Sequence, residues 1–313
     1  MKTYFIVNPN SGNSSVLKTV KSLVQNKDID YEIITTEYSH HAQEIAKNIA
    51  MRNKECRIFA CGGDGTIFDV VNGAVGYENV EIGVIPCGSG NDYIKYFGKK
   101  EDFLCDDNII NGKPVEVDLI KFQDKYCVNI ASIGMDAYVC KQKNKMQFLS
   151  RISGNLAYIV SLFITFIFNM GGRFKVKVDD GDYIEKDFLF IVAANGRFYG
   201  GSFNPTPNAV INDGFIDLLL LEKVRRYKVI TLMRKYQQGK HLDIPNLCKL
   251  VHAKRVEVIS KKVIPVNLDG ELFDSESAVF EIAEKAIKFI VPLKIYEKIH
   301  KKEEKTVAKA QVF

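Results

Sequence analysis

Two glycine-rich turns, Gly62-Gly63-Asp64-Gly65-Thr66 and Gly88-Ser89-Gly90-Asn91-Asp92, lie about two dozen residues apart. Residues without side chains let backbone N–H groups approach an anion closely, and a helix starting at such a turn adds positive potential. Each turn follows an apolar run and precedes a helix-compatible stretch. Two such turns on one sheet can floor a nucleotide's phosphates, which points to phosphoryl transfer. Asp64 and Asp92 repel phosphate unless a divalent metal or a proton-accepting role brings them in. Far along the chain, Asp269-Gly270-Glu271 sets two further carboxylates on a turn. In strand-like i,i+2 geometry these two share a side.

Several common phosphate and catalytic motifs are excluded. No G-x-x-x-x-G-K-[ST] occurs, and both G-x-G sequences fail at the third glycine of a dinucleotide fingerprint, where Phe68 and Tyr93 stand. There is no H-E-x-x-H and no G-x-S-x-G. His40 and His41 are neighbours at a predicted helix start, so they cannot share a ligand face and read as surface or capping residues.

The elements that must position the turns alternate in type. Tyr4 to Val7 is a short strand closed by Asn8-Pro9-Asn10-Ser11-Gly12, and Ser14 or Ser15 can cap a helix with Val16, Val20, Leu23 and Val24 on one side. Tyr31 to Thr36 is a second strand, and Ala42, Ile45, Ala46, Ile49 and Ala50 mark a helix face. Arg57 to Cys61 and Val80 to Ile85 are strands, each leading into a glycine turn, with Ile67, Val70 and Val71 on the helix between. This β-α-β-α-β-α-β order predicts a mostly parallel sheet with helices on both faces. Ligands of such sheets sit beyond the carboxyl ends of the strands, where Asn8–Gly12 and both glycine turns converge.

After about Lys113-Pro114 the pattern becomes β-rich. Hairpins are expected around Gln123-Asp124 and Asp180-Gly181, with further strands at Phe188–Ala194, Phe215–Leu221, Arg255–Ser260, Ala278–Ile282 and Ala286–Val291. The expected division is residues 1–113 plus 292–313 as an α/β domain and 114–291 as an antiparallel sandwich. The most apolar stretch, Leu156–Met170, is shorter than the ~20 residues of a spanning helix. It reads as a core helix or as a helix partly exposed for lipid entry.

With 313 residues, 46% of them apolar, the chain has material for two cores. A net charge of +5 does not indicate a nucleic-acid protein. The basic runs at Lys99-Lys100, Lys141–Lys145, Arg225–Lys228, Lys261-Lys262 and Lys298–Lys305 are solvated faces or contacts to an anionic membrane. Seven cysteines without a C-x-x-C pair suit a reducing cytosol, with Cys61 and Cys87 as small buried hydrophobes. Met1 to Asn8 reads as a strand running into a turn rather than a signal peptide.

The combination of Asn8-Pro9-Asn10-Ser11-Gly12, Gly62–Gly73, Ile85–Tyr93, Ala194-Asn195-Gly196 with Gly200-Gly201, Asp213-Gly214 and Leu268-Asp269-Gly270-Glu271 resembles the soluble diacylglycerol kinase family. That family includes bacterial lipid kinases, sphingosine kinases and ceramide kinases, and the likeness runs over most of the chain. It implies a first domain like those of NAD kinases and 6-phosphofructokinases, a β-sandwich second domain, and ATP in the cleft between them. Asn8, Ser11 and Gly12 would line the phosphate side, and Thr36 would approach the nucleotide. Gly62, Gly63, Gly65 and Thr66, with Gly88, Ser89, Gly90 and Asn91, would complete the floor.

The resemblance also implies the chemistry. Glu271 would accept the proton of the lipid hydroxyl, with Asp64 as the alternative base. Asp269 would hold the catalytic Mg²⁺ through water, and Asp64 would hold that metal or the attacking hydroxyl. Val210 to Phe215 resembles a structural Mg²⁺ loop, with Asp213 as direct ligand and the carbonyls of Val210 and Phe215 contributing. Departures from the family pattern are Phe68 and Asp69 after the first turn, Ser89 for threonine, Lys95 for arginine, and Ser202-Phe203 after Gly200-Gly201. None removes a proposed catalytic carboxylate. The expected activity is ATP-dependent phosphorylation of diacylglycerol or a related lipid at a membrane surface by a cytoplasmic, peripherally bound enzyme, with Tyr93, Phe97, Phe148, Phe163 and Phe166 as candidate membrane aromatics. Family members often dimerise. The alternatives are another acceptor (phosphatidylglycerol, a sphingoid base or NAD) or a silent nucleotide- and membrane-binding regulator.

Overall fold

The computed structural model describes residues 1–12, 16–105, 111–145, 170–201, 203–244 and 247–299. The chain divides into two compact units, residues 1–117 with 285–313, and residues 118–284. The expected Ser14/Ser15 cap, Phe148, Phe163, Phe166, Ser202 and the apolar run up to residue 169 lie outside the described residues.

The first unit is built on strands β1 (Lys2–Val7), β2 (Tyr31–Thr35), β3 (Cys56–Gly62) and β4 (Val80–Pro86). They pair in parallel in the order β2-β1-β3-β4. The register aligns their carboxyl ends: Val7 pairs with Thr35 and Cys61, and Gly62 with Pro86. Helix α1 (Val16–Val24) buries Val16, Val20, Leu23 and Val24 against Phe5, Val7, Phe59, Cys61, Ile85 and Cys87. The strand residues of this cluster are two apart, as one face of a pleated sheet requires. Helix α2 (His41–Arg52) buries the predicted face, Ala42, Ile45, Ala46, Ile49 and Ala50. It packs on α3 (Asp64–Ala74).

A fifth parallel strand completes this sheet from far along the chain. The end of the 21-residue strand Glu271–Val291 pairs with β4 through Lys288↔Glu81 and Phe289↔Ile82. The boundaries therefore fall at 117/118 and 284/285, not at 113/114 and 291/292 as the sequence suggested. Ile287, Phe289 and Val291 on one face and Ile290 on the other are buried, with exposed Lys288 between them, close to the apolar pattern of a parallel strand covered on both faces. That pattern identifies a strand but not its partner. Lys285, at φ 50°, interrupts the long strand where the units meet in sequence. Phe289 packs its ring on Tyr93 at 4.9 Å and on Phe97 at 5.2 Å. Tyr93 is thus a buried core aromatic of this unit, and half-buried Phe97 packs beside it.

The second unit is antiparallel. β5 (Lys113–Phe122) and β6 (Lys125–Cys127) form the expected hairpin at Gln123-Asp124. β6 ends at Cys127, and the chain corners before β7 (Ile130–Gly134). β8 (Gly172–Val178) and β9 (Ile184–Ala194) form the hairpin predicted at Asp180-Gly181. With β10 (Ile216–Glu222), β11 (Cys248–Ala253) and β12 (Arg255–Leu268) the order is β11-β10-β9-β7-β12, followed by β13 (Glu271–Val291). β9 and β12 are joined by β7 at one end and by β8 at the other.

Two helices of 11 and 12 residues, Met135–Lys145 and Arg226–Gln237, went unread in the sequence. The second covers an apolar sheet face, setting Val229, Leu232 and Tyr236 among Phe190, Val192, Leu219 and Leu221. Its signal was the 229/232/236 spacing, masked by the basic residues around it. Among the described residues no helix is long and apolar enough to cross a membrane.

Candidate functional site

The two glycine turns meet backbone to backbone. The Gly62 carbonyl accepts the N–H groups of Cys87 at 2.7 Å and Gly88 at 3.1 Å. A β-carbon on Gly88 would lie 2.5 Å from Gly63 Cα, and one on Gly63 would lie 3.2 Å from Gly88 Cα. Contact therefore demands glycine at 88, while at 63 a β-carbon would be tight against the facing turn. A second tie is Asp64, in the first turn of α3, whose Oδ1 accepts the N–H groups of Asp92 at 2.8 Å and Tyr93 at 3.3 Å. Gly90 lies against the other oxygen, since its β-carbon would sit 2.9 Å from Asp64 Oδ2. Asp92 in turn accepts from Lys95 Nζ at 2.6 Å. Asp64 thus clasps the second turn to the head of α3, a role its sequence position did not reveal.

The other donor-side residues gather at the same edge. Asn8, directly after β1, donates from Nδ2 to Thr66 Oγ1 at 3.3 Å and receives Asn10 N–H on Oδ1 at 3.0 Å. Ser11 N–H donates to the Asn8 carbonyl at 3.3 Å, and Ser11 Oγ would be 3.5 Å from a β-carbon on Gly63. Gly12, at φ 72°, passes so close to the Cys87 carbonyl that any side chain would strike it. Thr36, just past β2, is buried and donates its N–H to the Val7 carbonyl at 2.9 Å. The Asn91 side chain bridges Gly88, accepting its N–H at 3.0 Å and donating to its carbonyl at 2.7 Å. It braces the turn, while Gly65 and Ser89 are the exposed members of the two turns. The structure therefore brings all twelve residues expected on the donor side to one carboxyl edge, with the first turn of α3 opening onto it. Such an edge offers N–H groups and a helix dipole to phosphate. Burial pushes the thiols of Cys61 and Cys87 up, which keeps both inert beneath the floor.

In the second unit, Asp269 and Gly270 are the turn of the β12–β13 hairpin, with Leu268 paired to Glu271. Both turn residues have positive φ, 53° and 104°. This corrects the strand-like reading: Asp269 and Glu271 are separated by a turn and do not alternate along one strand. The Asp269 carboxylate turns inward. Its Oδ1 accepts Asn129 N–H at 3.1 Å, Ile130 N–H at 2.9 Å and the Cys127 thiol at 3.2 Å, and its Oδ2 accepts Val128 N–H at 2.6 Å. Burial pushes this carboxyl up, against the backbone donors, which favour the ionised form. The corner that Asp269 holds then holds the Ala194-Asn195-Gly196 turn, whose Asn195 and Gly196 N–H groups donate to the Asn129 carbonyl. Glu271 opens β13 and is partly exposed.

The Val210–Phe215 loop is organised by two aspartates. Asp213 Oδ1 accepts Phe215 N–H at 3.1 Å, and Gly214, at φ 77°, donates its N–H to buried Asp118 Oδ2 at 2.8 Å. Asp217 is buried nearby, with Oδ1 3.3 Å from His252 Nε2, an ion-pair distance without hydrogen-bond geometry. Its pKa is pushed up to about 6, chiefly by burial, against the pull of His252 and with the help of the Asp213 charge. Among the described residues no three acidic, histidine or cysteine side chains converge as a metal-ligand set. What the loop offers is one exposed carboxylate, carbonyl groups and excess negative charge. Hard oxygens with open positions for water fit a hydrated Mg²⁺ rather than a metal in a closed cage.

Comparison with known proteins agrees with this architecture. The diacylglycerol kinase catalytic domain matches residues 2–122, and the YegS C-terminal NAD kinase beta sandwich-like domain matches residues 129–291. A diacylglycerol kinase of Bacillus subtilis (strain 168) is 30% identical over 85% of this chain and 88% of its own length. One from Staphylococcus epidermidis is 27% identical over 93% of this chain and 92% of the relative. The crystal structure of a diacylglycerol kinase from Bacillus anthracis str. Sterne superposes with a TM-score of 0.67 at 19% identity, covering 94% of this chain and 98% of that one. With both of its units matched in order and a relative of this similarity spanning most of its length, the chain belongs to the diacylglycerol kinase family, a family of ATP-dependent lipid kinases.

Proposed function

We propose that this protein transfers the γ-phosphoryl group of ATP to the free hydroxyl of diacylglycerol or a related lipid, giving phosphatidic acid or its analogue. The observation that carries the proposal is the backbone contact of the two glycine turns, closed by Asp64. It leaves N–H groups and a helix start at one edge and no room for side chains between the turns. Such a floor stabilises phosphoryl charge without reorganising during transfer. Bound Mg²⁺ would neutralise charge developing on the phosphates. Glu271 takes the proton of the attacking hydroxyl, a contribution typically of ~10²–10⁴-fold. Asp64 is the second choice for that role, because its Oδ1 already serves two backbone donors. We assign Asp269 the task of holding the turn that carries Glu271. Asp213, with the Val210 and Phe215 carbonyls, holds a structural Mg²⁺. The acceptor is met at a membrane surface, a reading supported by exposed Lys261 and Lys262 beside Val263, itself 56% exposed.

The test is transfer of labelled phosphate from ATP to diacylglycerol, monoacylglycerol, phosphatidylglycerol, sphingosine, ceramide and NAD, with Asp64→Asn as control. Diacylglycerol is expected to give the highest kcat/KM. Labelling of NAD or sphingosine alone would replace the proposed acceptor, and labelling of none would support a regulator.

A further inference from the structure

The hairpin that carries Glu271 is tied down by a buried polar relay as well as by Asp269. Its two-residue turn, Asp269-Gly270, has both residues at positive φ. In such a turn the ladder bonds run between the flanking strand residues, so the N–H of the second turn residue is left over and ordinarily takes water. Packing does not hold Gly270 either. It is exposed, and beyond its chain neighbours nothing lies within 4 Å of where a β-carbon would stand. Its N–H is instead taken by a side chain, donating to Asn267 Oδ1 at 3.0 Å. Asn267 is buried on β12, directly opposite Ser132 on β7, and its Nδ2 donates to Ser132 Oγ at 3.2 Å.

Stability alone does not call for this pair. Val266, Leu268, Ala131 and Ile133 beside it are apolar and buried. Replacing both partners of a buried hydrogen bond by apolar groups of similar shape is nearly neutral. What the pair adds is direction. An amide nitrogen only donates, so Ser132 Oγ is the acceptor and its own hydrogen is turned elsewhere. Asp136, buried at the start of the helix Met135–Lys145, receives it. Tyr199 donates to the same carboxyl, and its phenol oxygen lies 3.0 Å from that of buried Tyr236. Tyr236 in turn stacks on Phe190 at 5.3 Å, so the far end of the relay is anchored in packed core. A flipped Asn267 amide would set its NH2 against the Gly270 N–H and draw the Ser132 hydrogen away from Asp136. The relay therefore keeps the amide oxygen toward the turn.

We infer that Asn267, oriented by Ser132 and Asp136, is a positioning residue for Glu271, fixing the Asp269–Gly270 peptide and with it the direction from which the Glu271 carboxylate meets the acceptor hydroxyl. The inference rests on the reading of Glu271 as the base and adds what aims it. Asp269 ties the turn to the corner at Val128–Ile130, and Asn267 ties it separately to β7. Glycine has the widest backbone freedom of any residue, so a turn ending in Gly270 needs such a tie to hold one geometry.

The experiment measures melting temperature, kcat and KM for ATP, with diacylglycerol as acceptor, in Asn267→Leu and Ser132→Ala, each alone and combined with Glu271→Gln. Asn267→Leu keeps nearly the same shape, and the exposed Gly270 N–H then takes water, so melting should shift little. Its kcat is expected to fall about ten- to a hundredfold with KM for ATP unchanged, the scale of loss when a reacting group is displaced by about 1 Å. Ser132→Ala keeps the Gly270 bond but frees the amide to flip, and should lose less. On the Glu271→Gln background neither substitution should lower the residual rate further, since residues acting through one group are not additive. Wild-type kcat in folded Asn267→Leu overturns the assignment, and so do losses that multiply with Glu271→Gln. If Asn267→Leu does not fold, Ser132→Ala on the two backgrounds decides by the same criterion. Full turnover by Glu271→Gln itself would instead bring down the base reading on which the inference stands.

Discussion

Replacing Asp269 with asparagine leaves one acceptor oxygen where four donors converge on two. The amide can face its oxygen toward Asn129, Ile130 and Cys127, which sets its NH2 against the Val128 N–H now bonded at 2.6 Å. The reverse orientation strands three donors instead of one. Loss of a charge-assisted bond, with a buried donor left unmatched, costs about 2–4 kcal/mol. Because burial pushes this carboxyl up, removing the charge recovers part of its desolvation, and a net cost of about 2 kcal/mol is expected. At roughly 2–4 °C per kcal/mol for a unit of this size, Asp269→Asn should melt roughly 4–8 °C below the wild type. It should also lose activity, since the turn carrying Glu271 is no longer held. Glu271→Gln should show the opposite combination: an unchanged melting temperature, retained ATP binding, and transfer reduced by about two decades or more. Cys127→Ala, which removes only the weak thiol donor, should be nearly silent. Differential scanning calorimetry with steady-state kinetics on the three variants decides. If Asp269→Asn melts like the wild type but loses activity, its carboxylate acts in the chemistry and the structural argument fails.

Gly88→Ala places a methyl 2.5 Å from Gly63 Cα. Forcing the turns apart should cost about 1–3 kcal/mol and abolish detectable ATP binding by calorimetry; normal ATP affinity would count against the paired floor. Asp213→Ala should lower the melting temperature and remove its dependence on Mg²⁺, whereas identical curves with and without chelator in the wild type would deny the loop a metal. Asp136, at the start of the helix Met135–Lys145, has its pKa raised from 3.8 to about 6, chiefly by burial, against hydrogen bonds from Ser132, Ala137 N–H and Tyr199. A carboxyl raised in the folded state is cheapest there when protonated, so its ionisation should erode stability as pH climbs from about 4 to about 6, by at most about 3 kcal/mol. Asp136→Asn should flatten that part of a melting-temperature profile and gain on the wild type above about pH 6; a parallel profile would refute the assignment.

Much of the first unit was legible because its signals are local. Apolar faces at helical spacing on α1, α2 and α3, and short runs ending in glycine, depend on residues a few positions apart, and the structure kept each described one. The hairpins at Gln123-Asp124 and Asp180-Gly181 were legible for the same reason, since turn chemistry resides in two residues. The helix Arg226–Gln237 was missed because its apolar spacing is diluted by lysine and arginine, and what makes it a helix is the sheet face it covers.

The sequence by itself determined the chemistry available to this protein: which residues lack side chains, which carry carboxylates, and the order in which strands deliver them. Tertiary structure decided what those groups do. Pairing with β4 drew Ile287–Val291 into the first unit, because a mostly apolar, mostly buried strand carries no mark of its neighbour. The turn at Asp269-Gly270 folded one carboxylate inward onto Val128, Asn129 and Ile130, and Asp64 became a clasp between loops separated by more than twenty residues. Hydrogen-bond partners at that separation are fixed by where strands come to lie in space, and no spacing along the chain records them.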